Sequence, residues 1–237
     1  MSINFAGIQV DNVTLEEAAL KAEEFVRSGK PHLIVTPNPE IIVTSQDDHE
    51  LREILNSADL RVPDGISMVV VSKLLGKPLK ERVSGIDLML KLIEVSALKK
   101  YKIFLYGGGP GIAEKAAQKL SSKHPGLVIV GIENGYTKDD AEVIKKIKTT
   151  KPDLLFVGLG AGRQERWLNR HLKQLDVPVG MVIGGSMDVI SGLKKRAPEW
   201  MQKTKIEWLY RLITEPTRWK RQLALPKFLW LMLGPRQ

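Results

Sequence analysis

Apolar residues recur at two spacings along the chain, and the spacing switches at regular points. In "LEEAALKAEEFVRSG", residues 15–29, they fall at helical intervals, with Thr14 placed to start the helix and Gly29 to stop it. Just before it, "IQVDNVT" predicts a short strand and turn. The apolar run in "HLIVTPN" predicts a buried strand that ends in a loop. "PEIIVTSQ" and "DHELREILNSA" predict two short helices, the first opened by Pro39. "LRVPDG" predicts a strand and loop, and "ISMVVVSKLLG" a helix apolar enough to be well buried. "SGIDLMLKLIEVSALKK" predicts a longer helix capped by Ser84.

The second half is more regular. Strand-like "KIFLYGGGPG", "LVIVGIENGY", "PDLLFVGLGAGRQ" and "VPVGMVIGGSMD" alternate with helical "IAEKAAQKLSSKHP", "KDDAEVIKKIKTT" and "ERWLNRHLKQL". Alternation at this spacing implies right-handed βαβ units and an α/β fold with a mostly parallel sheet. In such sheets ligands bind beyond the carboxyl ends of the strands. The candidate loops are then Thr36-Pro37-Asn38, Pro63-Asp64-Gly65, Gly107-Gly108-Gly109, Asn134-Gly135-Tyr136, Gly158-Leu159-Gly160 and Gly184-Gly185-Ser186.

Composition narrows this picture. With 43% hydrophobic and 27% charged residues over 237 positions, the chain can bury a substantial core without staples. It has no cysteine, and His32, His49, His124 and His171 lie far apart, so neither disulfides nor a zinc site is expected. The start, "MSINFAGIQV", lacks the charged and apolar regions of a secretory signal, and no apolar run is long enough to span a bilayer. The expectation is a cytoplasmic protein, peripheral if it meets a membrane at all.

Charge divides the chain. Residues 1–193 are nearly balanced, whereas residues 194–237 carry 11 Lys/Arg against 3 Asp/Glu. Four of the five tryptophans, Trp200, Trp208, Trp219 and Trp230, are in that last stretch. This predicts a body over 1–193 and a basic, Trp-rich helical appendage over 194–237. Three roles compete for the appendage: a core-packed helix with solvated cations, a grip on nucleic acid, or a segment lying on an anionic membrane. Each Lys/Arg near an anionic leaflet contributes about 1 kcal/mol, and each buried Trp, Phe or Leu about 1.5–3 kcal/mol, which favours reversible membrane adhesion. Nucleic-acid binders usually spread basic charge over the folded surface, and here the body is almost neutral.

Taken singly, the chemical candidates are ordinary. Pro63-Asp64-Gly65 is turn chemistry, although a carboxylate after a sheet strand is also a usual place for a general base. Thr36 and Asn38 are common loop residues, and a lone Arg82 before a capped helix is usually surface. "YGGGPGIAEKAA" follows a strand and opens a helix, as phosphate loops do. It lacks the dinucleotide spacing, and Ile132-Glu133 only loosely supplies the acid expected further on. Gln164 falls in the first turn of its helix, Arg163 and Arg166 read as solvated, and Trp167 as core.

In combination, "TPNPEIIV", "PDGISMVVVSKLLG", "RVSGIDL", "YGGGPGIAEKAA", "VGLGAGRQERW" and "IGGSMDVISGLKKRAPEWMQKTKIEWLYRLITEPTRWKR" resemble the successive signature segments of the WecG/TagA/CpsF glycosyltransferases. The resemblance runs from about residue 5 to 225 and is strongest to the teichoic-acid branch. It implies a Rossmann-like core with a C-terminal appendage (the GT-E fold) and inverting, metal-independent sugar transfer without a cofactor. The implied donor is UDP-N-acetylmannosamine. The implied acceptor is the 4-hydroxyl of undecaprenyl-diphosphate-N-acetylglucosamine, giving a β-1,4 linkage. UDP-glucose and UDP-N-acetylmannosaminuronic acid remain as alternative donors, and a nucleic-acid-binding module as a reading of another class. Carried over by motif, Asp64 is the general base, and Arg82 with Arg211, Arg218 and Arg221 meets the diphosphates. Thr36, Asn38 and Gln164 line the sugar pocket, and Gly107, Gly108, Gly109, Tyr136, Gly160, Gly185 and Asp188 hold the UDP-sugar. Gly162-Arg163 departs from the family's usual small residue and Lys. The implied location is the inner face of the cell membrane, with an appendage that docks there and folds over the site, and with a homo-oligomer as a further partner.

Overall fold

The computed structural model describes residues 2–137, 139–203, 207–214, 219 and 223–234. The chain opens with a two-stranded antiparallel hairpin, β1 (Ser2–Phe5) and β2 (Ile8–Asp11). Only β2 is expected from the sequence. Ile3 and Phe5 alternate inward opposite Ile8 and Val10, and Ala6 and Gly7 close the turn at φ 49° and 88°. Two inward residues per strand are too few to stand out as a period.

Helix α1 (Leu15–Ser28) follows, capped as the sequence predicts. Thr14 Oγ1 accepts from Glu17 N–H, the Glu17 carboxylate accepts from Thr14 N–H at 2.9 Å, and Gly29 closes the helix in the left-handed region. The chain then runs β3 (His32–Val35), α2 (Pro39–Thr44), α3 (His49–Ser57), β4 (Leu60–Arg61), α4 (Ile66–Leu74) and α5 (Gly85–Lys99). Next come β5 (Lys102–Gly107), α6 (Ile112–Lys123), β6 (Val128–Glu133), α7 (Asp140–Thr150), β7 (Leu154–Gly158), α8 (Arg163–Leu175), β8 (Val179–Val182) and α9 (Ser186–Ile190). The C-terminal segment contributes α10 (Glu199–Lys203), α11 (Glu207–Thr214) and α12 (Ala224–Leu233).

Strands β4-β3-β8-β7-β5-β6 form one sheet in that order, and every pairing is parallel. The Rossmann-like expectation holds. β7 and β8 lie inside the sheet and are buried along their whole length, which is why their sequences are unbroken apolar runs. Side chains alternate between two cores. Ile34, Leu105, Phe156 and Met181 pack under α1, α5, α6 and α9. Val35, Tyr106, Leu155 and Val157 pack under the β1–β2 hairpin, α2, α3, α4, α7 and α8. Phe228 of α12 joins the second core, its ring stacked on Phe5 with centroids 6.1 Å apart, and α12 packs across α2 and α4. Elsewhere in the C-terminal segment, Met201 is buried while Trp200, Trp208, Ile213, Trp219 and Trp230 are exposed.

Candidate active site

Four strand ends meet at one cleft. The loops after β3, β4, β7 and β8 bring Thr36, Asn38, Asp64, Gly160 and Gly185 to its walls, Gln164 reaches it from the first turn of α8, and Arg82 enters from the loop before α5. Its volume is about 190 Å3, and its lining is mainly polar. The positions the sequence names as base, arginine and sugar-pocket residues are therefore neighbours.

The turn around Asp64 is held on both sides. Asp64 N–H donates to Pro37 O at 2.9 Å, and Val83 N–H donates to Pro63 O at 2.9 Å. Gly65 sits at φ 143°, a conformation that L side chains rarely adopt, so the turn needs glycine there. The Asp64 carboxylate, 30% exposed, accepts from Gly85 N–H at 3.3 Å, at the N-terminus of α5. The positive end of that helix complements a carboxylate. Arg82 Nε stands 3.9 Å from the same carboxylate. Burial works against the charged form of Arg82, but Asp64, Glu207 and Asp87 outweigh it and hold its pKa above the ordinary arginine value.

Asn38 caps α2, its side chain accepting from Ile41 N–H at 3.0 Å, with Pro39 in the first helical turn. Thr36 lies against the start of α5, within 3.3 Å of where a Cβ on Gly85 would fall. Gln164 is buried and ties the first turn of α8 to the loop after β8: its Oε1 accepts from Gly184 N–H at 3.0 Å, while its Nε2 donates to the adjacent Glu165 at 3.0 Å. The polar edge of the cleft is thus fixed by hydrogen bonds from elements far apart in sequence.

Other candidates lie elsewhere. Gly107 ends β5, Gly108 and Gly109 follow it, Tyr136 follows β6, and none of them is part of this lining. Their loops are knit together instead: Gly108 N–H donates to Gly158 O and Gly135 N–H to Gly108 O. Tyr136 is 74% exposed. Asp188 stands behind Gly185, its carboxylate 3.3 Å from Lys194 Nζ. Arg211 belongs to α11, whereas Arg218 and Arg221 lie outside the described residues. Glu133, the loose match to a ribose-binding acid, is occupied by Lys146, Thr137 and Asn134. Arg166 is not merely solvated: it pairs with Asp48 and Glu50. Trp167 is core, as expected.

Sequence reasoning missed five charged residues near the site, the first being Glu40 in the opening turn of α2. Glu165 lines the cleft, is almost wholly buried, and accepts from Gly162 N–H at 2.6 Å; burial pushes its carboxyl above the usual range. Its signal was its place three residues into α8, where a Glu reaches back to the helix start. Lys194 and Lys195 also line the cleft. Glu207, on α11, accepts from Arg82 Nη2 at 2.5 Å. Among the described residues no group of three or more His, Asp or Glu side chains could hold a metal ion. The cleft thus sets the Asp64 carboxylate beside a guanidinium, with Lys194, Lys195, Glu40 and Glu165 on the same walls. That set can take a proton from a hydroxyl and balance a departing anion.

The model of the glycosyl transferase WecG/TagA/CpsF family matches residues 3–236. A protein of Bacillus subtilis (strain 168) is 41% identical over 83% of this chain and 77% of its own length. One of Bacillus spizizenii is 39% identical over 88% and 81%. One of Staphylococcus aureus (strain NCTC 8325 / PS 47) is 33% identical over 96% and 91%. All three are named N-acetylglucosaminyldiphosphoundecaprenol N-acetyl-beta-D-mannosaminyltransferase.

Proposed function

Because the chain belongs to the glycosyl transferase WecG/TagA/CpsF family, we propose that it catalyses the reaction its relatives are named for. An N-acetyl-β-D-mannosaminyl group passes to N-acetylglucosaminyldiphosphoundecaprenol, the linkage-unit step of teichoic acid synthesis. The donor is UDP-N-acetylmannosamine, and the attacking group is the acceptor's 4-hydroxyl. As that oxygen forms its bond to the anomeric carbon, Asp64 takes the proton. The bond from the anomeric carbon to the diphosphate oxygen breaks on the opposite face, and UDP leaves with the electron pair. Arg82 balances the charge that develops on the diphosphate.

The reading is supported by one observation above the rest: Asp64 and Arg82 share a cleft with Thr36, Asn38 and Gln164 at the carboxyl ends of the sheet. Thr36, Asn38 and Gln164 orient the sugars, and Gly160 and Gly185 let the donor approach the backbone closely. The uridine lies toward Gly107–Gly109, Tyr136 and Asp188. Arg211, Arg218 and Arg221 meet the remaining diphosphate charge. No described helix is long and apolar enough to cross a membrane. The exposed rings of Trp200, Trp208, Trp219 and Trp230, set among cations, support docking of this segment on an anionic leaflet from the cytoplasmic side.

The test is sugar transfer from UDP-N-acetylmannosamine to a short-chain diphospholipid acceptor, with UDP-glucose and UDP-N-acetylmannosaminuronic acid as competing donors and with EDTA present. Asp64→Ala is expected to lose about 100–10,000-fold in kcat, the usual range for a missing general base, and EDTA to change nothing. Unchanged transfer by Asp64→Ala removes the base assignment.

A further inference from the structure

Glu207 is a buried acid in a strongly basic segment. It opens α11, 125 positions from Arg82 along the chain, yet its side chain is only 6% exposed. Two guanidiniums hold it, Arg82 from the body and Arg196 from the start of the C-terminal segment itself. Arg82 Nη2 donates to one carboxylate oxygen at 2.5 Å, and Arg196 Nε donates to the other at 3.3 Å. Arg196 also hydrogen-bonds Asp87 on α5, whose carboxylate meets the cap residue Ser84. Arg82 is the same side chain that stands 3.9 Å from Asp64 and lines the cleft.

A carboxylate this buried is stable only with its partners in place, and removing one partner is strongly unfavourable. Glu207 therefore cannot take its seat without orienting Arg82, and Arg82 loses a fixed partner when the segment leaves. We propose that Glu207 is a positioning residue: it couples the seating of the C-terminal segment to the orientation of Arg82 beside Asp64. This rests on the assignment of Arg82 and Asp64 to sugar transfer.

Electrostatics gives the coupling a second signature. Glu207 shares the positive charge that Arg82 presents to Asp64. The other charges around this group are Asp87 on α5, Arg196 after α9, Glu40 on α2, Glu165 on α8, and Lys194 and Lys195 on the cleft wall. Neutralising Glu207 leaves Arg82 acting more fully on Asp64, which makes Asp64 a weaker base.

The experiment is a double-mutant cycle on the full chain with the donor and short-chain acceptor: Glu207→Gln, Arg82→Lys and both together. Glu207→Gln is expected to lower kcat/KM about 10-fold alone and less than about 2-fold on top of Arg82→Lys. The acid limb of its kcat/KM profile is expected to move down by about half a pH unit. Equal losses in both backgrounds, an unmoved acid limb, or a gain of activity each overturn the proposal. If Glu207→Gln does not fold, Arg196→Gln replaces it, expected to give a smaller loss that is again non-additive with Arg82→Lys; an additive loss overturns the coupling. Full transfer by Asp64→Ala would defeat the base assignment instead. An additive cycle beside an inactive Asp64→Ala defeats only the coupling.

Discussion

Replacing Phe228 by Ala tests how the C-terminal segment is joined to the α/β body. Phe228 is completely shielded from water and stacks on Phe5 of the β1–β2 hairpin. Its helix, α12, packs across α2 and α4. Those two helices begin at Pro39 and Ile66, immediately after Asn38 and the Asp64 turn. α12 thus supports the elements that frame the cleft. A buried Phe hides about 150–250 Å2, which at about 25 cal/mol per Å2 is about 4–6 kcal/mol. That is an upper figure, because the denatured chain already hides part of the area. Phe→Ala changes in cores cost about 3–5 kcal/mol, which agrees. The assay is urea unfolding followed by circular dichroism, read as midpoint and slope. Phe228→Ala is expected to lose about 3–5 kcal/mol at unchanged slope, and Phe228→Leu to recover most of it. A loss below about 1 kcal/mol for Phe228→Ala would refute the view that α12 is part of the core.

Two further outcomes can be measured on the same protein. Gly107 sits at φ 137°, and an added Cβ would fall 2.2 Å from Gly158 O. Gly107→Ala is therefore expected to cost about 3 kcal/mol or more and to lower Tm by about 6 °C or more; an unchanged Tm refutes the close approach of β5 and β7 at that point. Burial of Glu133 opposes its charge, but Lys146, Thr137 and Asn134 win and hold its carboxyl below the ordinary value of 4.5. Its contribution is present above that value and is lost as pH falls through the lowered one. Glu133→Gln is expected to cost about 1–2 kcal/mol at pH 7, since the half-exposed Lys146 end is screened. The gap from wild type should close in acid, and a constant gap from pH 7 to pH 3 in denaturant unfolding refutes the assignment.

Much of the site was legible because its residues mark strand ends. Thr36, Asp64, Gly160 and Gly185 all follow strands, and parallel topology alone gathers such loops at one edge. The motif resemblance then chose Arg82, Asn38 and Gln164 among many polar loop residues. Less legible was how far that edge would be shared. Gly107–Gly109 and Tyr136 also mark strand ends, but β5 and β6 lie on the far half of the sheet, and their loops pack on one another instead. Strand β1 leaves no period in the sequence, because two alternations are too few to make one.

The sequence by itself determined what is settled over a few residues or by a repeated pattern. The Thr14–Glu17 and Asn38 caps, the strand–helix alternation and the Pro63-Asp64-Gly65 turn are of this kind, since each depends on neighbours within one helical turn or loop. Only the tertiary structure decided that Glu207 would close on Arg82 and Arg196, that Gln164 would bridge to Gly184, and that Phe228 would enter the core. A charge or a ring can be buried only against the partners that the whole fold brings to it.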